Sequence, residues 1–219
     1  MKKTFIAAVL ALATLTATAG VTGSIAYDYD RSTGNGWSAA HTATTGLKFG
    51  LPGALGAVDV NAVGRQLVTN VRNNVLGYEV GYSNGLTIGA VSLTGRVAYR
   101  SISTDVLFGG GIGNTSFTLR DVKSNTTKLG VEASIPAAFA GLTPFVGYER
   151  LMNDNSSSTV GNLNNRLVAL TVRDNDSNRY TVGADMALTK SLSARLGYAR
   201  TTTLGKSSNG VTTAVSYAF

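Results

Sequence analysis

The chain has no cysteine, so it can hold no disulfide, no thiol nucleophile and no thiolate metal site. It has three prolines and a single histidine, His41. Charged residues make up only 14%, low for a soluble domain. Beyond the first fifteen residues, no apolar run is long enough for a membrane-spanning helix. The net charge of +7 is spread without clusters, so no nucleic-acid partner is expected. The glycine run after Phe108 matches no phosphate-loop spacing and no lysine follows it, so it reads as a hairpin tip. What the chain does have is glycine, 26 copies, and tyrosine, 9 copies, set in alternating segments.

The first residues form a separate unit. Met1-Lys2-Lys3 is basic, Phe5 to Leu15 is apolar, and Ala17-Thr18-Ala19 is a small-residue cleavage pattern. This reads as a secretory signal peptide over 1–19, leaving a 20–219 barrel domain. Loss of Lys2 and Lys3 would take the charge from +7 to +5.

Ten segments then alternate with period two, the signature of strands with one apolar face. They run over about 21–30, 39–50, 55–65, 75–83, 91–100, 127–136, 144–152, 179–189, 192–201 and 209–219. Leu76, Tyr78, Val80 and Tyr82 make a clean apolar face with Glu79 opposite. Long polar loops are expected at 101–126 and 153–177, with a short extra strand at 167–172. The last segment puts Val215, Tyr217 and Phe219 on one face and ends on an aromatic. Ten strands of about ten residues would cross a bilayer and return both termini to one side. The fold class expected is all-β, a closed antiparallel transmembrane β-barrel of ten strands, with eight or twelve as alternatives. Eight would leave clear alternation unused, and twelve would need a spanning hairpin in each long loop.

The whole region after the leader resembles small bacterial outer-membrane barrels of the opacity or OmpA-like class. The motifs that carry the likeness are Val215-Ser216-Tyr217-Ala218-Phe219 and the hairpin Leu76–Tyr82 with Leu93–Tyr99. The resemblance implies residence in the bacterial outer membrane with both termini periplasmic. It implies contact with outer-membrane lipid and lipopolysaccharide. It also implies a C-terminal signal, Val215, Tyr217 and Phe219, read by the barrel assembly machinery.

A charge on the lipid face at midplane costs about 2–4 kcal/mol, so the apolar faces are assigned outward. Mid-strand charges then fall inside: Lys48, Arg65, Arg96, Arg100, Lys128 and Arg195 against Asp28, Asp30, Asp59, Glu79, Glu132, Glu149 and Asp185. Glu79 with Arg96, and Asp185 with Arg195, are the pairs expected across neighbouring strands. Arg150 and Arg200 remain outside, near strand ends, where they would meet lipopolysaccharide phosphate or reach to the water boundary.

No enzyme is expected. His41 stands alone near a strand end, with Asp28 or Asp30 on the adjacent strand as its nearest acidic candidates. No cofactor or metal is implied. The function expected is a structural or surface-recognition role through long loops, with an unidentified extracellular ligand. The alternative is a narrow, charge-gated pore for small solutes, and behind it an outer-membrane enzyme.

Overall fold

A computed structural model describes residues 20–52, 54–68, 74–109, 116–136, 141–154, 158–163, 166–171 and 175–219, except 33–38. The expected leader, 1–19, lies outside the described residues. Twelve strands form one antiparallel sheet: β1 Val21–Ser32, β2 Ala39–Gly50, β3 Ala57–Val68, β4 Asn74–Ile88, β5 Val91–Gly109, β6 Ser116–Ser134, β7 Leu142–Asp154, β8 Ser158–Leu163, β9 Arg166–Thr171, β10 Ser177–Ala187, β11 Leu192–Thr203 and β12 Lys206–Ala218. Ten of them close a ring in the order β1 to β7, then β10, β11 and β12, which pairs back with β1. The remaining two, β8 and β9, form a hairpin that docks on the far end of β6 through Thr118 and Leu119. The fold is a ten-stranded closed antiparallel transmembrane barrel.

Closure follows from the strand chemistry. An open sheet edge would leave unpaired amide and carbonyl groups in hydrocarbon, which lipid does not tolerate. Here β1 and β12 are in register from Thr22↔Ala218 to Ser32↔Ser208. Phe219 extends the seam by donating its backbone N–H to Val21 O at 3.1 Å. Its ring lies against Gly23, where an added Cβ would sit 3.2 Å from Phe219 Cε2.

Pairing rows climb the barrel. The row that begins at Thr22, near the start of β1, passes through Lys48, Asp59, Gly81, Ala98, Lys128, Leu151, Ser177 and Thr203. It ends at Lys206, the first residue of β12, at the opposite end of the barrel. Strands tilted against the barrel axis require such a stagger. One end, the turn end, carries both ends of the ring's chain and the β2–β3, β4–β5, β6–β7 and β10–β11 connections. The other, the loop end, carries the long β5–β6 hairpin and the β8–β9 hairpin, together with the two-residue Leu204-Gly205 turn between β11 and β12.

The outer wall is apolar where a soluble protein would hide it. Ile25, Tyr27, Leu76, Tyr78, Val80, Tyr99, Val131, Val146, Leu196 and Tyr217 are all exposed. Each alternates with an inward neighbour, so the period-two reading of the faces holds along these strands. Among the described residues no helix is long and apolar enough to cross a membrane.

Several strand bounds differ from the sequence reading, and both expected long loops contain paired strand. The segment expected over 75–83 does not end before Asn84-Gly85, because β4 runs on to Ile88 and reverses at Gly89, whose φ is +61°. Asn84 is held in the strand by Nδ2 donating to Ala54 O at 3.1 Å. The loop expected over 101–126 is mostly a hairpin: β5 runs to Gly109 and β6 starts at Ser116, with a register shift between Thr104 and Val106. Outside lipid, no apolar face is required, so this paired stretch carries no strong alternation. The strand expected at 167–172 is present as β9, and β8 is its partner, formed from residues read as loop.

Candidate functional site: a charged lumen

The lumen is set by the inward half of each strand. Tyr78 and Val80 face out, so Glu79 faces in; the same logic turns Arg96, Arg100, Lys128, Glu132 and Arg195 inward. Together they line a cavity of about 600 Å³.

Allowing for the climb of the pairing rows, the inward charges gather at two heights. Near the turn end stand Lys48, Asp59, Arg96, Glu132, Asp185 and Arg195. Farther toward the loop end stand Asp28, Glu79, Arg100, Lys128, Glu149 and Arg179. Each ring holds three positive and three negative groups. Between them the wall is small: Ala26, Thr44, Gly130, Gly147, Thr181 and Thr212.

The upper ring is anchored by Glu79. Arg100 Nε donates to its Oε2 at 2.7 Å, Lys128 Nζ approaches the same oxygen at 2.8 Å, and Arg96 Nη2 donates to Oε1 at 2.8 Å. The Glu79 side chain is only 3% exposed. Arg100 stands directly opposite Glu79 in register, and Arg96 reaches it diagonally. Arg96 also donates to Asp59 Oδ2 at 2.7 Å, which accepts from Asn61 Nδ2 at 2.6 Å. Glu79 and Arg96 are therefore two members of a five-group cluster rather than a pair. Across the lumen Arg179 Nη2 donates to Asp28 Oδ1 at 3.1 Å.

The lower ring is anchored by Arg195. Its Nε and Nη2 donate to Asp185 at 2.7 and 2.8 Å. Its Nη1 and Nη2 donate to Glu132 at 3.0 and 2.8 Å. The guanidinium carbon lies 4.1 Å from the ring centre of Phe145, a cation–π contact. Asp185 is the register partner of Arg195 on the next strand, whereas Glu132 is three strands away around the ring.

Lys48 and Glu149 line the cavity without an ion pair among the described residues. The side chain of Arg65 lies outside the described residues; its backbone pairs with Thr42 and Val75. Asp30 is in the loop-end part of β1, and its Oδ1 is buried with no hydrogen-bond partner. Sequence reading missed Arg179 and Phe145 as lumen groups. Alternation with Tyr180 and Val182 would have placed Arg179 inside, and alternation with Val146 would have placed Phe145 there.

An apolar layer borders the upper ring. Val63 and Ile102 are both buried and meet over Gly77, which stands between them in register. A Cβ at Gly77 would lie 2.2 Å from Ser101 O and 3.0 Å from Ile102 Cγ1, so only glycine allows this closure.

His41 does not meet Asp28 or Asp30. It faces outward, where its Nδ1 is hydrogen-bonded to the Tyr27 hydroxyl and its ring lies 5.1 Å from that of Tyr29. Alternation explains the miss: adjacent-strand partners Tyr29 and His41 share one face, and the aspartates share the other. Among the described residues no group of three or more His, Asp or Glu is placed to hold a metal.

At the loop end, Arg150 is engaged within the protein. Its Nη2 donates to Asp176 Oδ2 at 3.0 Å and its Nη1 to Asn178 Oδ1 at 3.4 Å. Asp176 Oδ1 also accepts the Asn153 backbone N–H at 3.1 Å. That N–H, and then the Arg150 guanidinium, hold the Asp176 carboxyl below its ordinary range. Arg200 remains exposed on the outer wall, beside Asn209 and Tyr180.

No protein-family profile and no curated protein matches this sequence. Solved structures do. The β domain of the Bordetella autotransporter BrkA is similar at a TM-score of 0.60 and 12% identity, covering 91% of this chain and 99% of that one. The translocator domain of the autotransporter NalP from Neisseria meningitidis is similar at 0.51 and 13% identity, covering 100% and 95%. At these identities the likeness is one of fold alone, and it does not narrow the chain to opacity or OmpA-like barrels. Ring closure, apolar outer wall and charged lumen agree with it: the chain is a closed antiparallel β-barrel of the bacterial outer-membrane type.

Proposed function

We propose that this barrel is a narrow, charge-gated pore for small solutes in the bacterial outer membrane, with both termini on the periplasmic side. The observation that carries the reading is the cavity of about 600 Å³ lined by both charged rings. A barrel needed only as an anchor gains nothing from leaving that space, since side chains can fill a small barrel completely.

The movable element in this reading is the Arg195–Glu132 bridge. Its two side chains are 34% and 30% exposed, so solvent screens the pair and opening it costs about 1 kcal/mol or less. Glu79, enclosed by three cations, serves instead as a fixed part of the wall. The Glu79–Arg96 contact favoured by the sequence is thus the weaker candidate for a gate. Lipid and lipopolysaccharide surround the outer wall, and Val215, Tyr217 and Phe219 serve as the signal for the assembly machinery.

Liposome swelling with uncharged solutes of graded size tests the pore. Swelling that falls to zero above a sharp size limit supports it. No swelling with even the smallest solute removes it. A surface-recognition role has one observation in its favour: the β5–β6 hairpin runs past the ring and is widened by β8 and β9. Deleting 104–123 would then abolish binding of the extracellular ligand while leaving the ring closed.

A further inference from the structure

We infer that the chamber between the two charged rings is a retention site for a zwitterion with its charges at opposite ends, the class of ω-amino acids and short peptides. This deepens the pore reading, since it names what the lumen holds in passage.

The argument starts from which charges are already satisfied. Arg195 is held by Glu132 and Asp185, Arg179 by Asp28, and Arg96, Arg100 and Lys128 by Glu79 and Asp59. Two cavity-lining charges remain without an ion pair among the described residues, Lys48 and Glu149. They are of opposite sign. They lie in different rings, Lys48 in the lower and Glu149 in the upper. Their strands, β2 and β7, stand opposite each other, five steps apart either way round the ring.

The groups that flank them make their ion pairs elsewhere. Asp59, opposite Lys48 in register, is already engaged by Arg96 and Asn61. Glu149 is attracted by Arg179, opposite it in register, and by Lys128, but the ion pairs of those two cations are made elsewhere, with Asp28 and Glu79. A lone cation entering the chamber offsets only Glu149, and a lone anion only Lys48. A solute carrying both charges, far enough apart to reach both walls, offsets the two together. The intervening wall of glycine, alanine and threonine is small and leaves room. A volume of about 600 Å³ falls inside the range of small-molecule sites.

Equilibrium dialysis of the detergent-folded full chain against 6-aminohexanoate tests this directly. The controls are 6-aminohexanamide, which keeps only the cation, and 6-hydroxyhexanoate, which keeps only the anion. The site predicts about tenfold tighter retention of 6-aminohexanoate than of either control. Lys48→Gln and Glu149→Gln should each erase the difference, with heat-modifiable gel migration reporting that the ring still closes. Equal retention of all three probes by the wild-type protein overturns the inference, whether or not the variants fold. A preference that survives both substitutions also overturns it. Retention without solute flux would keep the site and remove the pore; flux without preferential retention would keep the pore and remove the site.

Discussion

Arg195 on β11 closes on Glu132 on β6 with two hydrogen bonds, 2.8 and 3.0 Å, although β7 and β10 separate their strands. The bridge therefore spans the lumen rather than running along the wall. Both partners are about one-third exposed, at 34% and 30%. Glu132→Ala should lower stability by about 1 kcal/mol or less, since Arg195 keeps its two hydrogen bonds to Asp185. The same change should widen the open lumen, since it breaks the bridge that crosses it. Urea unfolding in lipid vesicles and flux of a size-graded solute series check the two halves together. A large loss of stability with unchanged flux would make the bridge a strut.

Glu79 should behave in the opposite way. Three cations converge on it, and its side chain is 3% exposed. Glu79→Gln takes from Arg100 and Lys128 the carboxylate they pair with in a buried place, leaving Lys128 only the more distant Glu149, while Arg96 keeps Asp59. The expected cost is about 3 kcal/mol, read as a lowered urea midpoint with heat-modifiable migration retained. A loss well below about 1 kcal/mol would place Glu79 among solvated surface pairs.

Phe219 closes the β1–β12 seam through its N–H to Val21 and its ring against Gly23. Deleting it should lower the amount of folded protein in the outer membrane while leaving export across the inner membrane intact. Fractionation with heat-modifiable migration reads both. Normal outer-membrane levels would place the assembly signal elsewhere in the chain.

The Asp176 carboxyl is held below its ordinary range, first by the Asn153 N–H and then by Arg150. Its folded-state pKa is depressed, so the stabilisation is present above the unfolded value and is lost as pH falls through the folded one. Near neutral pH the contact between β7 and the approach to β10 is intact. A carboxyl-resolved NMR titration should find Asp176 titrating below a free aspartate. Arg150→Ala should raise that midpoint only part of the way, because the Asn153 contact remains. A full return to the free value would make Arg150 the dominant partner.

Much of this was legible in the sequence because lipid enforces a strict period. Tyr78, Val80 and Tyr82 had to face out, so Glu79 had to face in, and the number of ring strands follows from counting such segments. Asp185 with Arg195 was legible because neighbouring strands in register meet. Glu132 with Arg195 was not, because a contact across the lumen depends on stagger and curvature rather than on adjacency. The clustering of Glu79 with Lys128 was hidden for the same reason, since β5 lies between their strands. Beyond the bilayer the rule lapses: β8 and the outer half of the β5–β6 hairpin pair without an apolar face to announce them.

The central claim is that the lumen of this closed ten-stranded barrel conducts. Planar-bilayer recording from the purified wild-type protein tests it most directly. The account predicts stable, reproducible single-channel steps of small amplitude, larger in Arg195→Ala and still discrete. A folded, heat-modifiable protein that inserts yet shows no steps, in the wild type and in Arg195→Ala alike, would contradict it.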